Sequence, residues 1–310
     1  MIMSKVILKL ISRIRNPRYI LLDVFNLFSP FLSDERFLKL RFWIVMGRKL
    51  DLKNPRGYND KLQWLKLYDR RPIYTTFVDK YSVKNYVANI IGPEHIIPTL
   101  AVWDSIESLD LSHLPTSFVL KTTHDGDSKG VIICKDKSKI DIVAVKNQLA
   151  KNMETNYYRF GREWPYKDVR PRIIAEQYLE DESGELRDYK FFCFDGVVRA
   201  SFVATERSTG DVKFDYYDAD FNHIDMVQSH PMSGSIIRKP KNYDKMVKIA
   251  SELSKGFPHV RVDLYNCNGD IYFGELTLYH YGGMIPFHPE KWDYIFGSWL
   301  NLPQKEFMNE

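Results

Sequence analysis

Two carboxylates stand where they can do chemistry together. Asp263 lies in the run Arg261-Val262-Asp263, and Glu275 in Gly274-Glu275-Leu276-Thr277. Both runs read as strands, and Asn266-Cys267-Asn268-Gly269-Asp270 between them reads as a turn. A three-residue loop, Cys267-Asn268-Gly269, pairs Asp263 with Phe273 and Arg261 with Glu275. That register sets Asp263 and Glu275 on one face as diagonal neighbours, roughly 7–8 Å apart at Cβ. Two carboxylates so placed can share Mg²⁺, which takes few ligands from protein and the rest from phosphate oxygens and water. A two-residue Asn268-Gly269 turn sets them on opposite faces, so the metal reading requires the three-residue loop or a longer one of the same parity. The plain alternative is an Arg261–Glu275 surface ion pair beside an unrelated Asp263.

A second group surrounds a glycine-containing loop. Lys121 ends one β-rich run, Gly130 opens the next, and Gly126 and Ser128 lie between them. Glycines let backbone N–H groups approach an anion, Ser128 adds a hydroxyl donor, and Lys121 adds a positive charge, so the loop can cradle a polyphosphate. It is not a P-loop, because no GxxxxGK[ST] run leads into a helix. Glu176-Gln177-Tyr178-Leu179 leaves a strand; such a segment can offer backbone groups to an adenine edge and apolar cover to its face. Asp188 and Lys190 follow on the next strand and share a face by period-two alternation.

The elements that carry these residues alternate between helix and strand. Asn59–Arg71, Asp79–Ile91, Ile140–Met153 and Asn242–Lys255 read as helices, the last with Met246, Ile249, Ala250 and Leu253 inward. Ile96–Trp103 reads as a short buried strand. Ser117–Lys121, Gly130–Cys134, Arg172–Tyr178, Tyr189–Phe194, Val197–Val203, Val260–Tyr265 and Ile271–Thr277 also read as strands, several in hairpins. The fold class is α+β built largely on antiparallel sheets. With 310 residues, 44% hydrophobic and 27% charged, the chain is long and apolar enough for a sizeable core, and disorder of the whole is excluded. Cys134, Cys193 and Cys267 are scattered and odd in number, which excludes a disulfide scaffold and fits a reducing cytoplasm.

Net charge is +4 but unevenly spread: residues 1–58 hold 12 Lys/Arg against 4 Asp/Glu. No run approaches the roughly 18 apolar residues of a membrane span. Bulky apolar residues interspersed with Lys and Arg through residues 1–50 suit a helix lying on an anionic membrane surface, or else one packed on the body. Nucleic acid is not indicated, since the rest of the chain has no basic stripe.

Taken in order, these segments resemble the ATP-grasp superfamily of carboxylate–amine ligases. Asp79-Lys80 is similar to the site of that family's first nucleotide lysine, and Lys121 to the second. Glu176-Gln177-Tyr178-Leu179 resembles its adenine hinge, and Asp188 falls where a ribose-binding acid is usual. Arg261-Val262-Asp263 and Glu275-Leu276-Thr277 resemble the metal-binding strands of D-alanine–D-alanine ligase, and Gly282-Gly283-Met284 the glycine turn that follows. The resemblance covers about residues 75–290. Thr277 stands where these ligases often place an Asn ligand; a hydroxyl is weaker, so a metal would rest mainly on Asp263 and Glu275. A closer resemblance is to the teichuronopeptide-biosynthesis (TupA-like) branch, carried by Asn59–Tyr68, Gly161–Tyr166, Arg187–Phe194 and Lys255–Asp263.

The resemblance implies an ATP-grasp fold with nucleotide between two antiparallel-sheet subdomains, preceded by a helical basic segment. The expected divisions are residues 1–58 for that segment, 59–115 for an N-terminal lobe and 116–310 for the core. Within the core, a glycine-loop part spans about 116–178 and a metal-binding part about 179–300. It implies ATP and Mg²⁺ as cofactors. Lys80, Lys121, Gly126, Ser128, Gly130, Glu176, Tyr178, Leu179, Asp188 and Lys190 would serve the nucleotide, and Asp263, Glu275 and Thr277 the metal. Arg261 and Lys121 would be catalytic. Tyr157, Arg159, Arg162, Trp164, Gly282 and Gly283 are substrate candidates, because aromatic faces stack on sugars and arginine forks grip carboxylates. The expected partners are an acidic glycan or uronic acid and an amine or amino acid, in bacterial surface-polysaccharide synthesis. The expected setting is the cytoplasm or the inner face of the membrane. A glycosyltransferase is the alternative. Its Asp-x-Asp signature occurs at Asp125-Gly126-Asp127 and Asp218-Ala219-Asp220, but Asp is common enough here that two such triplets arise by chance.

Overall fold

Alternating apolar side chains and tight turns build two antiparallel sheets in the computed structural model, which describes residues 18–126, 130–182, 186–206 and 210–304. The smaller sheet holds β1 (Thr99–Trp103), β2 (Phe118–Thr122), β3 (Val131–Cys134) and β4 (Ile173–Gln177), in the order β1-β4-β2-β3. The larger holds β5 (Arg187–Phe194), β6 (Val197–Thr205), β7 (Lys213–Asp218), β8 (His223–Ile224), β9 (Val260–Cys267) and β10 (Asp270–Thr277), in the order β10-β9-β5-β6-β7-β8. Strand β1 comes from the segment expected to form a preceding lobe, yet it pairs with β4. It is also an edge strand whose residues alternate between half-buried and exposed, which corrects the buried strand expected at Ile96–Trp103.

Nine helices occur among the described residues: α1 (Arg18–Phe28), α2 (Asp34–Met46), α3 (Tyr58–Tyr68), α4 (Ile73–Val78), α5 (Ser82–Ile91), α6 (Ile142–Met153), the short α7 (Tyr158–Gly161), α8 (Tyr243–Ser254) and α9 (Lys291–Trp299). Helix α8 covers the large sheet with Met246, Ile249, Ala250 and Leu253, all buried. Each large side chain so buried stabilises by about 1.5–3 kcal/mol. Strands β5 and β6 turn through Asp195 and Gly196, both with positive φ, as a two-residue hairpin favours.

Helix α3 departs from an amphipathic pattern, because Asn59, Asp60, Gln63 and Lys66 are all buried on it. Their partners come from far along the chain. Arg48 makes a fork to Asp60 (2.8 and 2.5 Å) and reaches Asp293 at 3.1 Å, while the Asn59 backbone N–H donates to Asp293. Gln63 Nε2 donates to the carbonyls of Gly282 and Gly283, both at 2.9 Å. Lys66 Nζ donates to Gly161 O at 2.9 Å and Gly282 O at 2.8 Å. The segment Asn59–Tyr68 thus clamps the glycine turn beside β10. A Cβ on Gly283 (φ 62°) would lie 2.3 Å from Gln63 Nε2, so glycine is required there.

Candidate active site

Strands β9 and β10 are joined by the two-residue turn Asn268-Gly269, with φ of 56° and 103°. This corrects the expected three-residue loop. Left unbroken, that ladder would place Asp263 and Glu275 on opposite faces. A bulge at Gly274 absorbs one residue: Phe273 pairs with Leu264, but Glu275 pairs with Asp263 and Thr277 with Arg261. The two carboxylates are therefore direct cross-strand neighbours, nearer than the diagonal pair expected. Lys190 pairs with Asp263 from the other side, on β5.

Arg261 ties this face together. Its Nε and Nη2 form a fork to Asp263 (2.6 and 2.7 Å), and Nη2 also reaches Glu275 Oε1 at 2.9 Å and Thr277 Oγ1 at 2.8 Å. Nη1 donates to His280 Nδ1 at 2.7 Å. A guanidinium only donates, so His280 Nδ1 accepts and Nε2 carries the proton, which it gives to Gln228 Oε1 at 3.0 Å. Gln228 Nε2 in turn donates to Ile285 O at 2.9 Å. Burial, with Arg261 beside it, pushes His280 well below the ordinary histidine range. Lys190 is ion-paired with Asp188 at 2.8 Å and with Asp263. Burial raises the Asp263 carboxyl to about 6 against the pull of Arg261 and Lys190. Burial acts on Glu275 in the same sense, but Lys190, Arg261 and Lys80 together hold it far below the carboxylate range.

The small sheet contributes cations. Glu176, on β4, is buried between two lysines: Lys121 of β2 and Lys84 of α5, each at 2.5 Å. It stays ionised below the usual range because, despite burial, Lys121 and Lys84 flank it. Glu176 therefore holds lysines, while Tyr178 and Leu179 follow half-buried beyond the strand end. Burial opposes the Lys121 charge, yet Glu176, with Tyr265 and Glu275 of the other sheet behind it, raises its pKa. Lys80 precedes α5, in a loop rather than a helix, and binds the carbonyl and carboxylate of Asp125. Asp125 also accepts from Thr122 Oγ1, and Gly130 lies against both: a Cβ there would sit 1.9 Å from Asp125 Oδ2 and 2.0 Å from Thr122 Oγ1. Gly126 packs on Tyr166, and Ser128 lies outside the described residues.

A cavity of about 760 Å³ opens between the glycine loop and the glycine turn after β10. Tyr157, Tyr166, Tyr281, Gly126 and Gly282 line it, with Arg41, Lys151 and Glu163 as its charges. Of the expected substrate residues, Tyr157 and Gly282 reach the cavity. Gly283 is turned to Gln63, and Arg162 to Ser29 O at 2.8 Å and the Phe37 ring. Trp164 packs beside Tyr74 in the core, and Arg159 does not line the space. Sequence reasoning missed Lys84, one turn after Lys80, and Arg41, whose helix α2 is distant in sequence. The triplet Asp218-Ala219-Asp220 serves its own turn: Asp218 accepts from the Asp220 and Asn222 N–H groups and the Asn222 amide.

Among the described residues, no three His, Cys, Asp or Glu side chains gather to bind a metal unaided. Asp263, Glu275 and Thr277 offer oxygen only, which fits Mg²⁺ completed by phosphates and water. Glu275, with its side chain 40% exposed, is the more accessible ligand and meets Arg261 through Oε1, whereas Arg261 and Lys190 together engage both oxygens of Asp263.

Several solved structures align with this chain at low identity. The D-alanine–D-alanine ligase of Helicobacter pylori is 15% identical (TM-score 0.44), with 80% of this chain and 70% of that one covered. The N5-carboxyaminoimidazole ribonucleotide synthetase in complex with ADP is 16% identical (TM-score 0.41), with 80% and 58% covered. The ATP-grasp ligase PsnB, complexed with a precursor peptide and AMPPNP, is 12% identical (TM-score 0.37), with 71% and 57% covered. No curated protein matches the chain. A family model described as TupA-like ATPgrasp matches residues 60–301, a span holding both sheets together with Lys80, Lys84, Lys121, Lys190, Arg261 and the carboxylates beside them. The chain belongs to the TupA-like ATP-grasp family.

Proposed function

We propose that the protein is an ATP-dependent carboxylate–amine ligase that joins an amino compound to an acidic sugar in bacterial surface-polysaccharide synthesis. The observation that carries the ligase reading is the pairing of Asp263 with Glu275 under Arg261, facing the lysines of the small sheet. A substrate carboxylate oxygen attacks the γ-phosphorus of ATP, and the bond to ADP breaks. The amine nitrogen then attacks the acyl carbon, phosphate leaves with the C–O bond electrons, and the amine loses a proton. Lys80 and Lys121 offset phosphate charge. Asp263 and Glu275 would hold Mg²⁺, which when bound offsets charge on the phosphates. Arg261 is fixed by four neighbours and meets the charge developing at the transferred phosphoryl without reorganising.

The cavity supports the sugar part of the reading. Its volume suits a ligand of one or two rings, its tyrosines offer stacking faces, and Arg41 and Lys151 offset Glu163 to leave a cationic lining. The setting that fits is the cytoplasm, where ATP and free thiols coexist. The test is thermal stability with Mg·ATP, and separately with Mg²⁺ and UDP-sugars, on wild type and Asp263→Asn. Ligand at 100 times its Kd adds about 2.7 kcal/mol. A rise with Mg·ATP that vanishes in the variant, followed by ADP release when uronic acids and amines are supplied together, is expected. A rise with UDP-sugars only would overturn the reading in favour of glycosyl transfer.

A further inference from the structure

We propose that α1 and the turn after it form a docking surface for an anionic lipid bilayer. Helix α1 is anchored by one side: Phe25 is buried against Phe37 of α2, with ring centroids 4.9 Å apart, and Leu22 is half-buried beside it. Its other described apolar side chains face solvent. Val24, Leu27 and Phe28 are 52%, 71% and 58% exposed, and Phe31 in the following turn is 86% exposed. Ile20 and Leu21 extend the same strip, and Leu40 and Trp43 of α2 are also exposed. A contiguous strip of this kind marks an interaction surface, whereas single exposed apolar residues do not.

Charge selects the partner. Up to Ser33 the chain carries Lys5, Lys9, Arg13, Arg15 and Arg18 against the single acid Asp23. Basic residues close in sequence to bulky apolar ones complement a negatively charged lipid surface, which attracts cations to its phosphates and takes apolar side chains into the headgroup boundary. No described helix is long and apolar enough to cross a bilayer, and the proposed contact is with the bilayer surface. Helix α2 also sends Arg41 into the cavity, so docking brings that cavity close to the lipid. The surface would then present a substrate carried on an amphiphile. This last step rests on the ligase reading, whereas the docking does not.

The experiment is flotation of the full chain with vesicles of phosphatidylcholine alone and with roughly 30% phosphatidylglycerol, at about 50 and 300 mM salt. Binding to the anionic vesicles only, weakened by salt, is expected. Leu27→Ser with Phe31→Ser should weaken it by at least ~10-fold. Ile236→Ser, at an exposed apolar residue elsewhere, should not. The Mg·ATP thermal shift, unchanged in all three proteins, reports an intact fold and nucleotide site, so failure of vesicle binding and failure of the ligase reading are read separately. Equal binding to neutral vesicles, no binding at low salt, or binding retained by the double variant would overturn the proposal. So would a dimer, formed without vesicle binding and dispersed by the double variant, because it assigns the strip to a second copy.

Discussion

Arg261 is unusual in how completely it is committed. Its fork holds Asp263, and its remaining N–H groups reach Glu275, Thr277 and His280. A lysine has three rotatable donors and no fork, so Arg261→Lys keeps the charge but loses the alignment. The expected result is a fall in kcat on the order of 10²-fold with KM for ATP nearly unchanged. A rise in KM that accounts for the whole loss would place Arg261 in ground-state binding instead. Behind it, two histidines are held neutral. His259 accepts from the Tyr58 hydroxyl and donates to Cys193 O, and burial pushes its pKa down to about 3, with Arg261 adding to the effect. A histidine depressed in the folded state contributes stability that is present above the unfolded pKa and lost as pH falls below it. Between pH 7.5 and 5.5 the unfolded chain gains a proton at His259 that the folded chain refuses, which costs about 1.4 kcal/mol. His280 adds a loss of the same sign. Denaturant unfolding at the two pH values measures this, and His259→Gln should remove its share. Asp263, whose carboxyl is raised to about 6, takes up a proton in the same interval with the opposite sign, so the decisive comparison is between the two proteins: an identical pH slope in wild type and His259→Gln would contradict the neutral assignment.

The β9–β10 hairpin shows how one element converts a sequence with the wrong parity into a site. The turn alone would separate the carboxylates, and the bulge at Gly274 reunites them. A Cβ at this glycine would lie 3.1 Å from Asp263 O and 3.2 Å from the Tyr265 ring. Gly274→Val is therefore expected to shift Glu275, lower turnover by at least ~10-fold and cost roughly 1–3 kcal/mol from overpacking. Activity and urea midpoint, measured together, separate these effects; turnover unchanged at reduced stability would show that the bulge merely fits the sheet. Strand alternation and the 3.6-residue spacing of α8 were legible in the sequence, because each depends on residues a few positions apart. The identity of the facing carboxylates was legible too, but their register was not, since a bulge is set by packing between strands rather than by turn composition. The inward polar residues of α3 were equally hidden: Gln63 finds its carbonyl partner 219 positions away, and no local pattern announces that. Arg41 reaches the cavity from a helix outside the matched family span for the same reason.

At the scale of the whole molecule, the two sheets each carry a mixed cluster with a small excess of opposite sign. Lys80, Lys84 and Lys121 with Glu176 and Asp125 are associated with the small sheet, and Asp188, Asp263 and Glu275 with Lys190 and Arg261 lie on the large one. Lys80 helps keep Glu275 ionised, and Glu275 helps raise Lys121, so the surfaces interact across the cleft. Glu176 is what makes the lysine cluster tolerable, because one buried and one largely buried ammonium group share its carboxylate. Glu176→Gln removes that charge and leaves both lysines in an environment that penalises them, at a cost of about 3–5 kcal/mol. If phosphates rest against Lys121 in the bound state, nucleotide supplies the missing negative charge. The stabilisation by Mg·ATP should then be larger in Glu176→Gln than in wild type, and the variant should recover part of its lost melting temperature only when nucleotide is present. A smaller ATP-induced shift in the variant would mean that Glu176 contacts the nucleotide itself, as the hinge resemblance implies. The two roles predict opposite signs for one measurement, and the geometry favours the first, since Lys84 and Lys121 engage both oxygens of the carboxylate.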